Sequence, residues 1–145
     1  MSESLDRQPL LAEMTEGDRR VLSDYLTPRE ADAGSTLFRA EDEAEELFFV
    51  IDGAVSIRSE GQSIADLGAG EVLGTLCLVS VGLRMCDAVA SEPTRLLSLS
   101  RESYARLRSD QPALALQLEE AILRSFASVV RSVLVDARAS NAAIS

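Results

Sequence analysis

The chain carries EVLGTLCL at residues 71–78 and, after a short apolar loop, LRMCD at residues 83–87. In this segment the end of a predicted strand is followed by Gly74 and Thr75, and Arg84 comes nine residues after Thr75. Backbone N–H groups at a helix start favour an anion, and Gly74 permits a close approach of the backbone to a ligand. Thr75 can cap the turn, and Arg84 carries a planar charged fork that matches a phosphate. The spacing predicts an anion-binding cradle between Gly74 and Arg84.

Three flanking segments show short apolar strands interrupted by glycines. They read AGSTLF at residues 33–38, LFFVIDGAVSI at residues 47–57 and LGAGE at residues 67–71. With these segments and the cradle, the chain resembles the cyclic-nucleotide-binding domain family. That family includes bacterial catabolite activators, protein kinase regulatory subunits and the sensor domains of some channels. The resemblance covers roughly residues 9–136, nearly the whole chain.

The resemblance implies a ligand site at the cradle, with cyclic AMP or cyclic GMP as candidate ligands. In members that bind cyclic nucleotides, the cassette looks like Phe-Gly-Glu-Leu-Ala-Leu followed by Pro-Arg-Ser/Ala-Ala-Thr. The Glu is implied to accept a hydrogen bond from the ribose 2′-hydroxyl, and the Arg to pair with the cyclic phosphate. The positions of this chain that the resemblance assigns to ligand binding are Gly74, Thr75, Leu76, Cys77, Arg84, Met85 and Cys86.

The cassette departs from the family pattern where the ribose is bound. Thr75 stands at the position of the Glu, and Met85, Cys86 and Asp87 replace the small and hydroxyl residues that follow the Arg. Losing a charged acceptor removes about 1.5–3 kcal/mol, which is roughly ten- to a hundredfold in affinity. Asp87 also places a negative charge close to the phosphate position. We therefore expect weakened or altered ligand binding, with the phosphate half retained in part.

Short strands separated by glycine or acidic turns fill the middle of the chain. Residues 47–51 are continuously apolar and predict a strand buried on both faces, while Asp52-Gly53 and Glu60-Gly61 predict hairpin turns. The strands are predicted near residues 28–32, 36–39, 47–52, 54–59, 62–67, 71–73, 86–91 and 94–99. The predicted fold class is mainly β with flanking helices, an eight-stranded jelly-roll (double-stranded β-helix) barrel at about residues 27–100.

Helical periodicity brackets this barrel. Thr15 begins a Thr-x-x-Asp cap for a helix at about residues 16–26, and Ser100 caps a short helix. The last helix begins at Pro112 and is predicted to run to about Arg138. Its apolar stripe consists of Leu118, Ile122, Phe126, Val129, Val133 and Ala137.

The stripe has two candidate partners. It can lie on its own barrel and close the core, or, as the catabolite activators imply, it can pair with the same helix of a second subunit beside the ligand. The predicted helix has about seven turns, more than one barrel face needs. We therefore expect a homodimer through the C-terminal helix.

The domain organisation predicted is a disordered lead at residues 1–8, a single domain at residues 9–138 and a frayed tail at residues 139–145. The C-terminal helices occupy about residues 101–138 of that domain. The lead lacks the apolar stretch of a signal peptide, and no apolar run approaches membrane-spanning length. These features predict a cytoplasmic location with reduced thiols. Cys77 and Cys86 are then either small buried hydrophobes or oxidation sensors.

The charge of the chain argues against several classes of function. It has 24 acids against 14 bases, all of them Arg, and no His, for a net charge of −10. Such a surface would repel nucleic acid and anionic membranes, so neither is expected as a partner. Without His, the usual acid–base relay and a His-ligated metal site are unavailable. We predict no enzyme activity, no metal and no obligatory cofactor.

Two functional classes remain open from the sequence. The first is a sensor of a cyclic nucleotide or related anion that signals to a separate effector protein, and it predicts a polar cavity beside Arg84. The second is a vestigial-pocket adaptor that dimerises or docks and binds no nucleotide, and it predicts an Arg84–carboxylate contact with little open volume. Acidic residues 41–46 are either a docking surface for a basic partner or a solvated loop that protects an edge.

Overall fold

The computed structural model of the chain describes residues 5–74 and 82–144. Within them, the strands are β1 Thr27–Ala31, β2 Thr36–Phe38, β3 Glu46–Asp52, β4 Ala54–Ser59, β5 Gln62–Gly68, β6 Val72–Leu73, β7 Asp87–Ala90 and β8 Thr94–Ser100. They form two antiparallel sheets, in the orders β1-β8-β3-β6 and β2-β7-β4-β5.

The arrangement of the sheets confirms a mainly β fold with flanking helices. The chain changes sheet at every connection except the one between β4 and β5, which is consistent with a jelly roll. The ladders within the described residues keep the two four-stranded sheets separate. Closure into a barrel and a total of eight strands for the whole chain therefore stay predictions.

Strand β3 is the centre of the molecule because both of its faces are covered. Leu47 and Phe49 belong to a cluster shared with the helices, whereas Phe48 and Val50 belong to a second cluster between the sheets. Successive side chains of a strand point to opposite faces. The continuously apolar sequence of residues 47–51 follows directly from this double burial, as predicted.

Of the two predicted hairpin turns, the one at Asp52-Gly53 is wrong, because it joins β3 and β4, which lie in different sheets. The turn between β4 and β5 has the predicted chemistry. Glu60 and Gly61 adopt φ angles of 53° and 80°, and Ser59 pairs with Gln62 across the hairpin. Positive φ at both central residues is the geometry of the tight turn that matches the twist of the flanking strands. Gly61 accepts this conformation without steric penalty.

Two helices begin at the predicted caps. The Thr15 Oγ1 accepts a hydrogen bond from Asp18 N at 3.1 Å, and helix α1 spans Glu16–Ser23. The Ser100 Oγ accepts from Ser103 N at 3.0 Å, and helix α2 spans Arg101–Asp110. Each cap satisfies a backbone donor that the first helical turn leaves open. A 3₁₀ turn at Pro9–Leu11 precedes α1.

The prediction of a disordered lead is wrong for residues 5–8, which make tertiary contacts with the rest of the domain. Leu5 is fully buried in the cluster below β3, and Gln8 Nε2 donates to Val50 O at 3.0 Å. Asp6 forms an ion pair with Arg19 of α1 at 2.8 Å. A single apolar residue in a polar segment gives no periodic signal, so only the tertiary contacts reveal that this segment is anchored.

Helix α3 spans Pro112–Ile144 and is longer than predicted. Residues 139–144 read ASNAAI, without glycine or proline to stop the helix. Alanine is the strongest helix former, which explains why the helix continues beyond Arg138. None of the helices in residues 5–74 and 82–144 is both long enough and apolar enough to cross a lipid bilayer.

The apolar stripe of α3 is buried only in its first half. Leu118 and Ile122 are fully buried and Phe126 packs against the same cluster, whereas Val129 and Val133 are exposed. The stripe thus covers its own core up to Phe126. The remainder of the stripe has no cover within the described part of this chain.

Candidate functional site

A cavity of ≈ 380 Å³ opens beside the predicted cradle. It lies between the second sheet and the segment at residues 82–86. Phe38 of β2, Ile57 of β4 and Leu67 of β5 line it, together with Val72 and Leu73 of β6. Its volume is at the small end of the range of about 300–1,000 Å³ that is typical of ligand pockets.

Arg84 forms part of the cavity wall and is only 8% exposed. Its Nη2 donates a hydrogen bond to the backbone carbonyl of Glu46, at the start of β3. Its guanidinium carbon lies 4.1 Å from the centroid of the Phe38 ring, which is the geometry of a cation–π contact. These contacts fix the orientation of a permanently charged group in a largely apolar setting.

Gly74 is required by the position of the Arg84 side chain. Its φ is 72°, and a Cβ at this position would collide with Arg84 Nη1 and lie 3.3 Å from Glu46 O. A side chain here would be strained by the backbone and would displace the guanidinium. The glycine of the predicted cradle therefore makes room for the arginine of the same cradle.

The acidic loop, residues 41–46, is tied to the segment that carries Arg84. Glu41 N donates to Arg84 O at 2.7 Å, and Arg84 N donates to Asp42 O at 2.8 Å. Ala44 N donates to Gly82 O at 3.0 Å. The two segments thus form a short antiparallel ribbon, and the acidic loop is part of the site's framework. This pairing was not predicted from the sequence, because a run of acidic residues has no apolar alternation and so gives no strand signal.

Residues 28–111 match the family described as Cyclic nucleotide-binding domain. The chain belongs to this family. This cyclic nucleotide-binding domain is 32% identical over 105 residues to the Cyclic AMP receptor protein of Thermus thermophilus, which covers 69% of the chain and 49% of that protein. Its fold is similar to the crystal structure of the Thermus thermophilus catabolite activator protein, with a TM-score of 0.73, 28% identity, and coverage of 90% of this chain and 63% of the other.

A further relative is an enzyme, but only a small part of it is matched. The domain is 32% identical over 136 residues to Glutaminase 2 of Bradyrhizobium diazoefficiens, which covers 93% of the chain and 21% of the enzyme. The chain therefore spans between about a fifth and a half of the length of these two curated relatives. The family resemblance inferred from the glycine spacing and the cassette is confirmed.

The structure brings together four of the seven predicted site residues of this cyclic nucleotide-binding domain. Gly74, Arg84, Met85 and Cys86 all line the cavity. Met85 is 86% exposed, and Cys86 is half-buried. The other predicted residues, Thr75, Leu76 and Cys77, lie outside the described residues, so the ribose and capping roles of this part stay predictions.

The cavity agrees in part with each of the two open hypotheses. Its volume exceeds what the vestigial-pocket adaptor predicts, while the part of its wall formed by described residues is mainly apolar and not polar as the sensor predicts. Asp87, the acid that follows the cassette, accepts a hydrogen bond from Ala40 N at 2.7 Å. The apolar wall comes from alternate residues of strands distant in sequence, so only the strand register places Phe38, Ile57 and Leu67 together.

Proposed function

We propose that this chain is a non-enzymatic regulatory module that senses a cyclic nucleotide or related anionic ligand, with weakened or altered affinity. The observation that carries the proposal is the open cavity with the Arg84 guanidinium fixed in its wall. A charged donor in a site of low polarity favours an anionic group. Membership of the cyclic nucleotide-binding domain family supports the same assignment.

The proposed signal passes from the cavity to helix α3. Val72 lines the cavity and also packs against the cluster that contains Leu118 and Ile122 of α3. A ligand that moves β6 would therefore change the packing of the first half of the helix. Contiguous packed side chains of this kind can couple two sites when both bias the same element.

The alternative is an adaptor that dimerises or docks and uses no nucleotide. The exposed second half of α3 supports dimerisation through this helix in either case. Apolar residues recur there at intervals of three and four, which is the spacing of a two-helix seam. We define this seam as Val130, Val133 and Ala137.

Calorimetric titration with cyclic AMP, cyclic GMP and a cyclic dinucleotide tests the sensor proposal. We expect saturable binding by the wild type and at least tenfold weaker binding by Arg84→Gln, because a charge-assisted hydrogen bond contributes about 1.5–3 kcal/mol. Arg58→Gln, which changes an exposed arginine of β4, is the matched control and should bind like the wild type. Equal affinity in both variants would overturn the role of Arg84, and no binding of any anion would favour the adaptor.

Sedimentation equilibrium tests the dimer. We expect the wild type to dimerise and the double variant Val130→Glu/Val133→Glu to dissociate at least tenfold more readily, because it buries like charges in the seam. Val135→Glu alters an equally exposed valine that lies off the seam, and it should leave the dimer intact. A monomeric wild type, or equal loss in the control, would rule out this interface.

A further inference from the structure

The wall of the cavity is apolar over most of its described surface. Seven of its described side chains are hydrocarbon or aromatic: Phe38, Ala44, Ile57, Leu67, Val72, Leu73 and Leu83. Among the described lining residues, Arg84 supplies the charged side chain and Cys86 a weakly polar thiol. The site therefore combines one strong, fixed hydrogen-bond donor with a hydrophobic interior.

A nucleotide is poorly matched to the part of the wall that the described residues form. Its sugar hydroxyls and the polar edges of its base lose water on binding, and each polar group that finds no partner weakens binding. The described wall offers such groups few donors or acceptors. A hydrocarbon or aromatic group has no hydrogen bonds to water to lose, and its burial in an apolar cavity is favourable.

The surroundings of the cavity favour a single negative charge over several. The acidic loop runs beside Arg84, and the whole chain has a net charge of −10. The summed field of such a surface lowers the local concentration of anions, more strongly for each further charge. At the mouth, the exposed side chains of Leu83 and Met85 provide additional apolar contact area.

We propose that the ligand of this cavity is a small apolar monocarboxylate, with its carboxylate at Arg84 and its hydrocarbon body against β4, β5 and β6. This assignment rests on the proposed sensor function and specifies the class of anion. A carboxylate is a strong acceptor for a charge-assisted hydrogen bond from the guanidinium, and one polar contact is all that such a ligand requires.

Calorimetric titration with butanoate, hexanoate and octanoate tests the proposal. We expect each two-carbon extension to lower Kd roughly tenfold, because it buries two further methylene groups against the apolar wall. Octanamide, which has the same body without the charge, should bind at least tenfold more weakly than octanoate. In Arg84→Gln, this preference for the acid over the amide should disappear.

A second variant tests the cavity without removing the charge. Ala44→Leu places a larger side chain in the cavity wall. It should weaken the binding of octanoate at least tenfold and weaken the binding of butanoate less. Ala105→Leu, at an exposed position of α2, is the matched control for folding and solubility.

The outcomes separate this proposal from the broader one. If cyclic nucleotides bind in an Arg84-dependent manner and the carboxylates do not, the monocarboxylate assignment is wrong and the sensor function stands. If neither class binds, both are wrong. Carboxylate affinity that is independent of chain length, or unchanged in Ala44→Leu, would indicate ion association at the surface and overturn the assignment.

Discussion

The two halves of α3 have similar apolar patterns and opposite surroundings. Leu118, in the first half, is fully buried against the first sheet, whereas Val133, in the second half, is 60% exposed. The helix has 33 residues and is about 50 Å long, while β3, with seven residues, extends about 23 Å. An apolar stripe thus indicates that one face of a helix packs against other apolar residues. The length of the neighbouring sheet determines how much of that face can be buried within the same chain.

The largest expected difference between the halves concerns the free energy of unfolding. Leu118→Ala should lower it by about 2–5 kcal/mol, because it opens a cavity in the main cluster. Val133→Ala should change it by less than about 0.5 kcal/mol at concentrations where the chain is monomeric. Urea denaturation of both variants measures the contrast. Similar losses in the two variants would mean that the second half is also covered within one chain.

An intermediate effect on the free energy of unfolding is expected at the contact between α2 and the first half of α3. The buried Tyr104 hydroxyl donates to Glu119 Oε1. Tyr104→Phe should therefore lower the free energy of unfolding by about 1–2 kcal/mol. The double variant with Val133→Ala should lose no more than the single variant, because the second half does not depend on this contact.

The same hydroxyl predicts a pH dependence. Burial, followed by the hydrogen bond and the charge of Glu119, raises the pKa of Tyr104 above its usual 10.0. The folded state thus keeps this proton at pH values where the unfolded state loses it, so the contribution is complete below pH 10 and declines as the pH rises further. Denaturation between pH 8 and 11 should show a decline that is shallower in Tyr104→Phe. An unchanged slope would show that Tyr104 does not contribute.

The smallest effect is expected at the boundary between the halves. Arg124 pairs with Glu13, and both side chains are largely exposed. Because solvent screens such a pair, Arg124→Gln should change the free energy of unfolding by less than about 1 kcal/mol. The change should shrink further in high salt, as measured by the same denaturation series. A larger loss of stability that does not depend on salt would mean that Arg124 stabilises the helix by packing rather than by its charge.

The sequence predicted those features that depend on local chemistry. The caps at Thr15 and Ser100, the turn at Gly61 and the buried strand at residues 47–51 each follow from residues adjacent in the chain. Gly74 and Arg84 were also correctly placed together, because the spacing of the cassette resembles a known family.

Features that depend on distant contacts were not predictable in the same way. Leu5 packs against residues far along the chain, and the residues next to it in the sequence show no pattern that predicts its burial. The apolar wall of the cavity requires the register of β4 against both β5 and β7. The continuation of α3 beyond Arg138 depends on a run of small residues whose helical preference is strong but carries no amphipathic signal.

The position of β8 between β1 and β3 has a consequence for how the protein is made. Thr27 and Ser98 meet in the first sheet although 71 residues separate them. During synthesis, β1 and β3 emerge long before the strand that joins them, so the first sheet cannot be completed until translation has passed Ser100. Folding should therefore be slow and governed by this late closure, as is typical of folds with distant strand partners. Until then, the apolar strand β3 lacks its partner β8 and leaves backbone hydrogen-bonding groups unpaired along that edge.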